Sequence, residues 1–363
     1  MTNQSVLYNI HARHHAVMKS YGTFELPAHY GSAIQETFTL RHSAGLFDLS
    51  HWAMIQISGP DRKTYLHRMV TNEVENLDPG QGNANLILNP QGKVLADFWL
   101  LNFEDRLLLL THAHLKERII STLDKYLIME EAEIRDVTSD MVMLSLQGPQ
   151  AEQTLRQCIS EGSLPAEELH HTHVKIEHSE LIALRLSHTG EDGFDLLLKP
   201  EQAEPVWNKL ITSGAHPTGM DALEILRVEA GIPVVDKDLD DKVIPQEARL
   251  HHALSFTKGC YLGQEVVARL HFRGHVNREL TGFYLNTPQP PEQEVLLTHE
   301  GKPVGSITSA VLSPTLNRVI GIGFLRCKLR EEGREIQGEN AGEQITATVA
   351  NLPLVQKNGS NAG

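Results

Sequence analysis

One short device occurs twice in this chain, and it restricts the folds open to it. Ala53 to Ser58 has strand character, Gly59-Pro60 turns the chain, and Asp61 stands where an N-cap belongs, ahead of a helix burying Tyr65, Leu66, Met69 and Val70. Val142 to Gln147 is again strand-like, Gly148-Pro149 turns, and Leu155, Cys158 and Ile159 stand at the offsets of Leu66, Met69 and Val70. The spacing from Gly-Pro to leucine is identical in both. This predicts an internal repeat of two related α+β units, each a strand, a helix and antiparallel strands. It also places Cys158 on a core-facing helix stripe, where Met69 sits in the first copy.

Between the copies the pattern is a meander: Asn85 to Asn89, a turn at Pro90-Gln91-Gly92-Lys93, Val94 to Asn102, a turn at Glu104-Asp105, and Arg106 to Thr111, with a helix over Leu115 to Leu127. After the second copy, Thr172 to His178, Leu181 to His188 and Phe194 to Leu198 read as strands around the tight loop Thr189-Gly190-Glu191-Asp192-Gly193, and helices follow at 202–213 and 219–230. The histidine-rich opening is expected to be helical, and a further helix runs from Ala33 and stops near Gly45. From Glu279 the chain turns to short strands separated by Pro, Gly and Asn: Thr281 to Leu285, Lys302 to Thr308, Val319 to Leu325 and Gln344 to Ala350. This spacing predicts a separate small β-barrel. Lys357 to Gly363 has the composition of a frayed tail.

At 363 residues, two or three domains are expected. The net charge of −14 disfavours a phosphate-tracking surface, so no direct nucleic-acid role is expected. Met1-Thr2-Asn3-Gln4 does not open a secretory signal, and no stretch reaches the roughly 18 apolar residues of a membrane span. A soluble, cytoplasmic protein without membrane partners is the expectation. Cys158, Cys260 and Cys327 are odd in number and widely spaced, which fits neither a disulfide framework nor a metal motif. The 20 histidines carry no H-E-x-x-H spacing, so they are expected to be solvated or structural, with no metal site.

Five places have residues that packing alone does not ask for. Cys260 lies between two glycines and beside Lys258, just before the helix-like Val266 to Leu270; a helix entry and a nearby ammonium both favour a thiolate. The stretch is either a reactive thiol or a tight turn containing a cysteine. Asp97 lies among Leu95, Phe98 and Trp99 and faces either solvent or a ligand nitrogen, since a lone buried carboxylate is costly. Glu191 is either part of a polar hairpin turn or an acceptor for paired N–H donors. Arg227 either binds a ligand or site carboxylate or is a helix charge beside Glu224 and Glu229. Arg269, Arg273 and Arg278 form either a positive patch or a solvated face.

Lys258-Gly259-Cys260-Tyr261-Leu262-Gly263-Gln264-Glu265 resembles the K-G-C-[aromatic]-x-G-Q-E signature of the YgfZ family, folate-binding proteins of iron–sulfur cluster maintenance related to the glycine-cleavage T-protein. Pro245-Gln246-Glu247 is similar to the YgfZ P-x-E element. Leu26 to Ser32 and Arg41 to His51 look like the opening of T-proteins, and Arg227 to Gly231 matches the R-x-E-x-G of both families. The resemblance extends over nearly the whole chain. It implies an α+β fold, a three-domain T-protein-like ring of two ferredoxin-like α+β units plus a C-terminal β-barrel, with folate in the central cavity. Residues 1–51 and 140–230 are expected in the first unit, 52–139 and 231–278 in the second, and 279–363 in the barrel.

The resemblance also implies roles. T-proteins have two adjacent aspartates of which the second resembles Asp97, implicated at folate N10, while Ala96 replaces the first. Glu191 resembles the T-G-E-x-G glutamate that contacts the folate ring, and His188 replaces the usual tyrosine nearby. An aromatic residue of T-proteins is missing at Asn83-Ala84-Asn85. Asp97, Glu191, Arg227 and Lys258 are thus expected to bind tetrahydrofolate or a derivative, with Cys260 and Asp97 as the chemical groups. The leading expectation is a tetrahydrofolate-binding protein supporting assembly or repair of iron–sulfur clusters, with client or assembly proteins as partners. Cys260 would act transiently, since a cluster usually wants about four thiolates. The alternative is a glycine-cleavage aminomethyltransferase, for which Asp97, Glu191 and Arg227 speak, and against which Ala96, His188 and the octapeptide speak.

Overall fold

The structure is a computed structural model and describes residues 3–340 and 342–357. The expected tail lies outside the described residues beyond Lys357. Two compact units are present: Met1–Leu88, Ala96–Ala222 and Ala253–Leu262 form the first, and Asn89–Leu95, Leu223–His252 and Gly263–Gly363 form the second.

The first unit opens with β1 (Asn3–Gln4), α1 (Tyr8–Arg13), β2 (Val17–Tyr21) and β3 (Phe24–His29). The histidine-rich opening is helical for only six residues, because His15 adopts φ 57° and Gly22, at φ 61°, turns the following segment into the β2–β3 hairpin. His11 is fully buried, its Nε2 2.9 Å from Asp48 Oδ2 and its Nδ1 2.8 Å from Tyr30 Oη, so this histidine is structural. Helix α2 (Ala33–His42) is N-capped by Ser32, whose Oγ accepts from Gln35 N, and leads into the wholly buried β4 (Gly45–Asp48).

The repeat is realised element by element. Copy one runs β5 (Trp52–Ser58), α3 (Arg62–Met69), β6 (Gly82–Leu88), β7 (Val94–Asn102), β8 (Arg106–His112), α4 (Lys116–Tyr126) and β9 (Glu133–Asp136), in a sheet ordered β6-β7-β8-β5-β9. Copy two runs β10 (Val142–Gln147), α5 (Ala151–Cys158), β11 (Ile159–Glu161), β12 (His171–Ile176), β13 (Ser179–Arg185), β14 (Gly193–Leu198), α6 (Ala203–Thr212) and β15 (His216–Pro217). Its sheet is ordered β11-β12-β13-β14-β10-β4-β15, which repeats the first order with β4 inserted and β11 added at the edge.

The glycines of the two Gly-Pro turns explain the device. Gly59 has φ 98° and Gly148 φ 122°, and a Cβ would lie 2.2 Å from Glu131 O in the first and 2.3 Å from Ser43 O in the second. Each of those carbonyls must come close because it accepts the N–H of the helix N-cap residue, Asp61 in copy one and Gln150 in copy two. Asp61 is therefore an N-cap by position only: its Oδ2 accepts from Glu131 N at 2.8 Å and not from the helix. Val70 and Ile159 are the matching extended C-caps, donating to Leu66 O and Leu155 O. Cys158 lies in the core of copy two with Leu144, Leu155, Phe194 and Trp207, as the repeat predicts.

After α7 (Met220–Ala230) and α8 (Gln264–Arg273), the second unit closes a six-stranded barrel ordered β16-β19-β18-β17-β20-β21, from β16 (Arg278–Leu285), β17 (Val295–His299), β18 (Lys302–Ser313), β19 (Arg318–Arg326), β20 (Glu335–Asn340) and β21 (Glu343–Ala350). Phe283, Val295, Leu297, Ile307, Ile336 and Ala347 fill it. The sequence pattern misses β17 and β20; Glu335-Ile336-Gln337-Gly338-Glu339-Asn340 presents a single large apolar residue inward, too little to mark a strand. Cys327 lies just past β19, opening a 3-10 turn and not on the strand itself. No helix among the described residues is long and apolar enough to cross a membrane.

Two measurements probe this fold. Gly59→Ala and Gly148→Ala should each lower the unfolding free energy by about 1–3 kcal/mol in urea titrations, while Gly259→Ala, with open space around it, should have an effect within about 0.5 kcal/mol. Equal stability of all three would remove the turn argument. The second is pH-dependent. His171 is buried with neither ring nitrogen hydrogen-bonded to a described residue, and burial pushes its pKa down to about 4 from 6.5. The unfolded chain takes up this proton first, so stability is fully present above pH 6.5 and is lost as pH falls toward 4, by up to about 3 kcal/mol. His171→Leu should flatten that part of the stability profile; an unchanged slope would count against it.

Candidate functional site

Strand β7 divides its side chains cleanly. Ala96, Phe98 and Leu100 are buried in the core, while Asp97 and Trp99 point to the opposite face and are half-buried. Thr111 Oγ1 on β8 donates to the Asp97 carbonyl at 2.8 Å and ties the carboxylate's backbone to the neighbouring strand. On the same sheet, Trp52 of β5 stacks on Trp99 with ring centroids 4.6 Å apart and planes 15° from parallel, and His112 packs on Trp52 at 4.2 Å. Stacked indoles of this kind make a broad apolar wall with specific geometry.

The wall meets the loop of copy two. His188 sets its ring edge against Trp99 at 5.0 Å and Trp52 at 5.6 Å, and its Nε2 lies 2.8 Å from the buried Asp195 Oδ2. The loop is fixed from below by Gln147. Its Oε1 accepts from His188 N at 3.0 Å and Thr189 Oγ1 at 3.3 Å, and its Nε2 donates to Ser145 Oγ and Leu186 O. Glu191, 1% exposed, follows three residues after His188. Arg41 Nη1 donates to Glu191 Oε1 at 2.6 Å, and Glu191 Oε2 is buried without a hydrogen bond among the described residues. The Trp99–His188 contact thus joins the strand of Asp97 to the loop of Glu191.

Lys258 is also in the first unit, but its ammonium is engaged elsewhere. Nζ donates to the carbonyls of His67, Val70 and Asn72 at 2.5, 2.7 and 2.7 Å, at the C-terminal end of α3. All three donors are used, and burial pushes its pKa down to about 8. In the structure this ammonium satisfies carbonyls that chain turns leave without a regular partner. Cys260 is exposed. Helix α8 begins at Gln264, four residues after Cys260 in the sequence.

Arg227 belongs to the second unit. Its five N–H donors go to Glu224 Oε1 and Oε2, Asp238 Oδ2, Ser309 Oγ and Ile232 O, at 2.6 to 2.9 Å. Burial opposes its charge, but Asp238 and Glu224 outweigh that and raise its pKa. Ser309 lies on β18, so the arginine fastens the end of α7 to the barrel. Glu229 and Gly231 of the same motif do similar work, accepting from Ser313 Oγ and packing against Leu352. Arg278 rests over the Phe324 ring near Glu247, while Arg269 and Arg273 are exposed.

Asn83 and Asn85, where an aromatic was expected to be missing, bind the 71–76 segment: Asn85 Oδ1 accepts from Asn72 N, and Asn83 Nδ2 donates to Glu73 O. Trp52 and Trp99 supply aromatic surface elsewhere. Sequence reasoning missed Trp52, His112, Arg41 and Asp195. Arg41 was within reach, since it opens the quoted Arg41 to His51 block; Asp195 sits in an apolar strand and gave the same kind of signal as Asp97.

Comparison with known proteins places this geometry. Residues 7–258 match the model of the GCVT N-terminal domain, and residues 278–356 match the glycine cleavage T-protein C-terminal barrel domain. The aminomethyltransferase of Desulforamulus reducens is 30% identical over 362 residues, covering 97% of this chain and 97% of that protein. The aminomethyltransferase of Geobacillus kaustophilus is 30% identical over 365 residues, covering 98% and 100%. The crystal structure of the glycine cleavage system aminomethyltransferase T from Bartonella henselae superposes with a TM-score of 0.89 at 25% identity, covering 98% of this chain and 99% of that one. These relatives carry the name of the activity that the sequence reading held as its alternative. The α+β fold with its C-terminal six-stranded barrel, the two domain matches and the full-length relatives together make this chain a member of the glycine-cleavage T-protein family.

Proposed function

We propose that this chain binds a tetrahydrofolate in its first unit and acts as an aminomethyltransferase upon it. The observation that carries this reading is the Trp99–His188 contact, which sets the Trp52–Trp99 stack, on the strand that carries Asp97, against the loop that carries the buried Glu191. A flat heterocycle suits an indole wall, and a buried carboxylate oxygen without a protein donor suits a ring N–H. The residues therefore fit the ligand. Tetrahydrofolate supplies the amine that takes up the one-carbon unit. Asp97 stands on the half-buried face to hold a proton or hydrogen bond at that amine, Glu191 orients the ring, and the indoles exclude water.

The loss of the first aspartate does not weigh against transfer. Ala96 is fully buried on the core face of β7, so a carboxylate there would point away from Asp97 and from Trp99. The parity of the strand keeps the ligand-facing member of the pair.

A second reading is favoured by one observation: Cys260 is exposed within the complete octapeptide, while Cys158 is buried and Cys327 half-buried. On this reading the folate protein serves iron–sulfur clients through a transient thiol contact.

Calorimetry under reducing conditions should detect tetrahydrofolate binding, weakened about tenfold or more by Asp97→Ala and by Glu191→Gln; absence of heat with the wild-type chain would sink the folate reading. Mixing the chain with a lipoylated carrier protein, glycine decarboxylase and tetrahydrofolate should yield methylene-tetrahydrofolate. If binding is intact but turnover is absent, and Cys260→Ala lowers the activity of cluster-dependent enzymes in cells, the second reading replaces the first.

A further inference from the structure

Arg41 lies on the last turn of α2, its side chain 5% exposed, and reaches Glu191 from a sequence distance of 150 residues. The pair is asymmetric. Arg41 Nη1 holds Glu191 Oε1 at 2.6 Å, while Oε2, equally buried, has no hydrogen bond among the described residues. A buried acceptor left open is uncommon in folded proteins and points to a partner that arrives from outside. The backbone that carries the carboxylate is held as well. Thr189 Oγ1 accepts from Glu191 N at 3.3 Å, Ser187 Oγ accepts from Gly190 N at 3.0 Å, and Gly148 N donates to Asp192 O at 2.7 Å, so the loop is held on both sides of the residue.

We propose that Arg41 is a positioning residue that holds Glu191 with Oε2 presented to a ligand N–H, so that the site selects heterocycles carrying a donor edge such as an exocyclic amine beside a ring nitrogen. This rests on the folate reading and adds to it the group that makes the glutamate selective. Arg41 neutralises the carboxylate while leaving one of its oxygens to the ligand. A ligand of the same shape without the donor gains nothing from that oxygen, whether or not Arg41 is there to aim it.

The test compares two ligands across variants by calorimetry: tetrahydrofolate, and its analogue in which the exocyclic 2-amino group is replaced by methyl and the neighbouring ring N–H by N-methyl, so that this edge keeps no donor. Arg41→Gln should weaken tetrahydrofolate binding about tenfold and change binding of the analogue less than about twofold. Arg41→Lys, which keeps the charge, should recover most of the loss. Equal weakening of both ligands, or no weakening of either, would overturn the proposal, since a merely structural arginine does not distinguish them. Should Arg41→Gln fail to fold by thermal melt, Glu191→Gln carries the same comparison with the same selective loss expected. A wild-type chain that binds neither ligand would instead overturn the folate reading beneath it.

Discussion

The Gln147 carboxamide is the contact on which the site depends. It is fully buried at the end of β10, and both of its N–H donors and its carbonyl oxygen are engaged with Ser145, Leu186, His188 and Thr189. A buried amide with every group satisfied is rigid, because any rotation leaves a polar atom unpaired in a low-dielectric interior. Gly193 is part of the same arrangement: a Cβ there would fall 2.2 Å from Gln147 Nε2, so the strand after the loop can approach only without a side chain. One glutamine thereby fixes the loop that carries His188 and Glu191 onto the sheet. The loop Thr189 to Gly193 is consequently part of the scaffold, whatever its polar composition suggests.

The fold was largely legible because its signals are local. A glycine with positive φ, a proline after it and a leucine at a fixed offset can be read off the chain, and each has a physical reason in a carbonyl that must approach the turn. The strands that escaped notice, β17 and β20, lack that local signal: they are held by pairing with β18 and β21 around a closed barrel, and their partners are distant in sequence. Propensity is a poor guide where cross-strand neighbours decide.

The site was legible in part, and what the sequence did not show has one cause. Arg227 and Lys258 were expected to meet a ligand, yet each has every donor occupied by protein oxygens, Arg227 at the junction of α7 with β18 and Lys258 at the end of α3. A charged residue in a recognisable motif shows that the position needs that charge. It does not show whether carbonyls or a ligand will receive it. The decision lies in partners such as Ser309, Asp238 and Val70, which lie 82, 11 and 188 residues away. Sequence spacing carries no trace of them. Glu191 differs physically from the other two: its one oxygen is satisfied by Arg41 and the other is not, so the same accounting that makes Arg227 structural leaves Glu191 with capacity for a further donor.

Strand parity bears on the remaining disagreement between the two functional readings. Reading Ala96-Asp97 as half of a pair treats neighbouring positions as equivalent, but on a pleated strand they face opposite ways. Ala96 shares the core with Phe98 and Leu100, where a methyl packs and a carboxylate would need a partner, and Asp97 shares the half-buried face with Trp99. The alternation was already present in the residues of β7, with small and apolar side chains at 96, 98 and 100 flanking the carboxylate at 97. Substitution at 96 is then a change of core packing, and it leaves the half-buried face of the strand, with Asp97 and Trp99, as it was. What separates the two readings is therefore not the aspartate pair but the thiol at Cys260, exposed within its octapeptide.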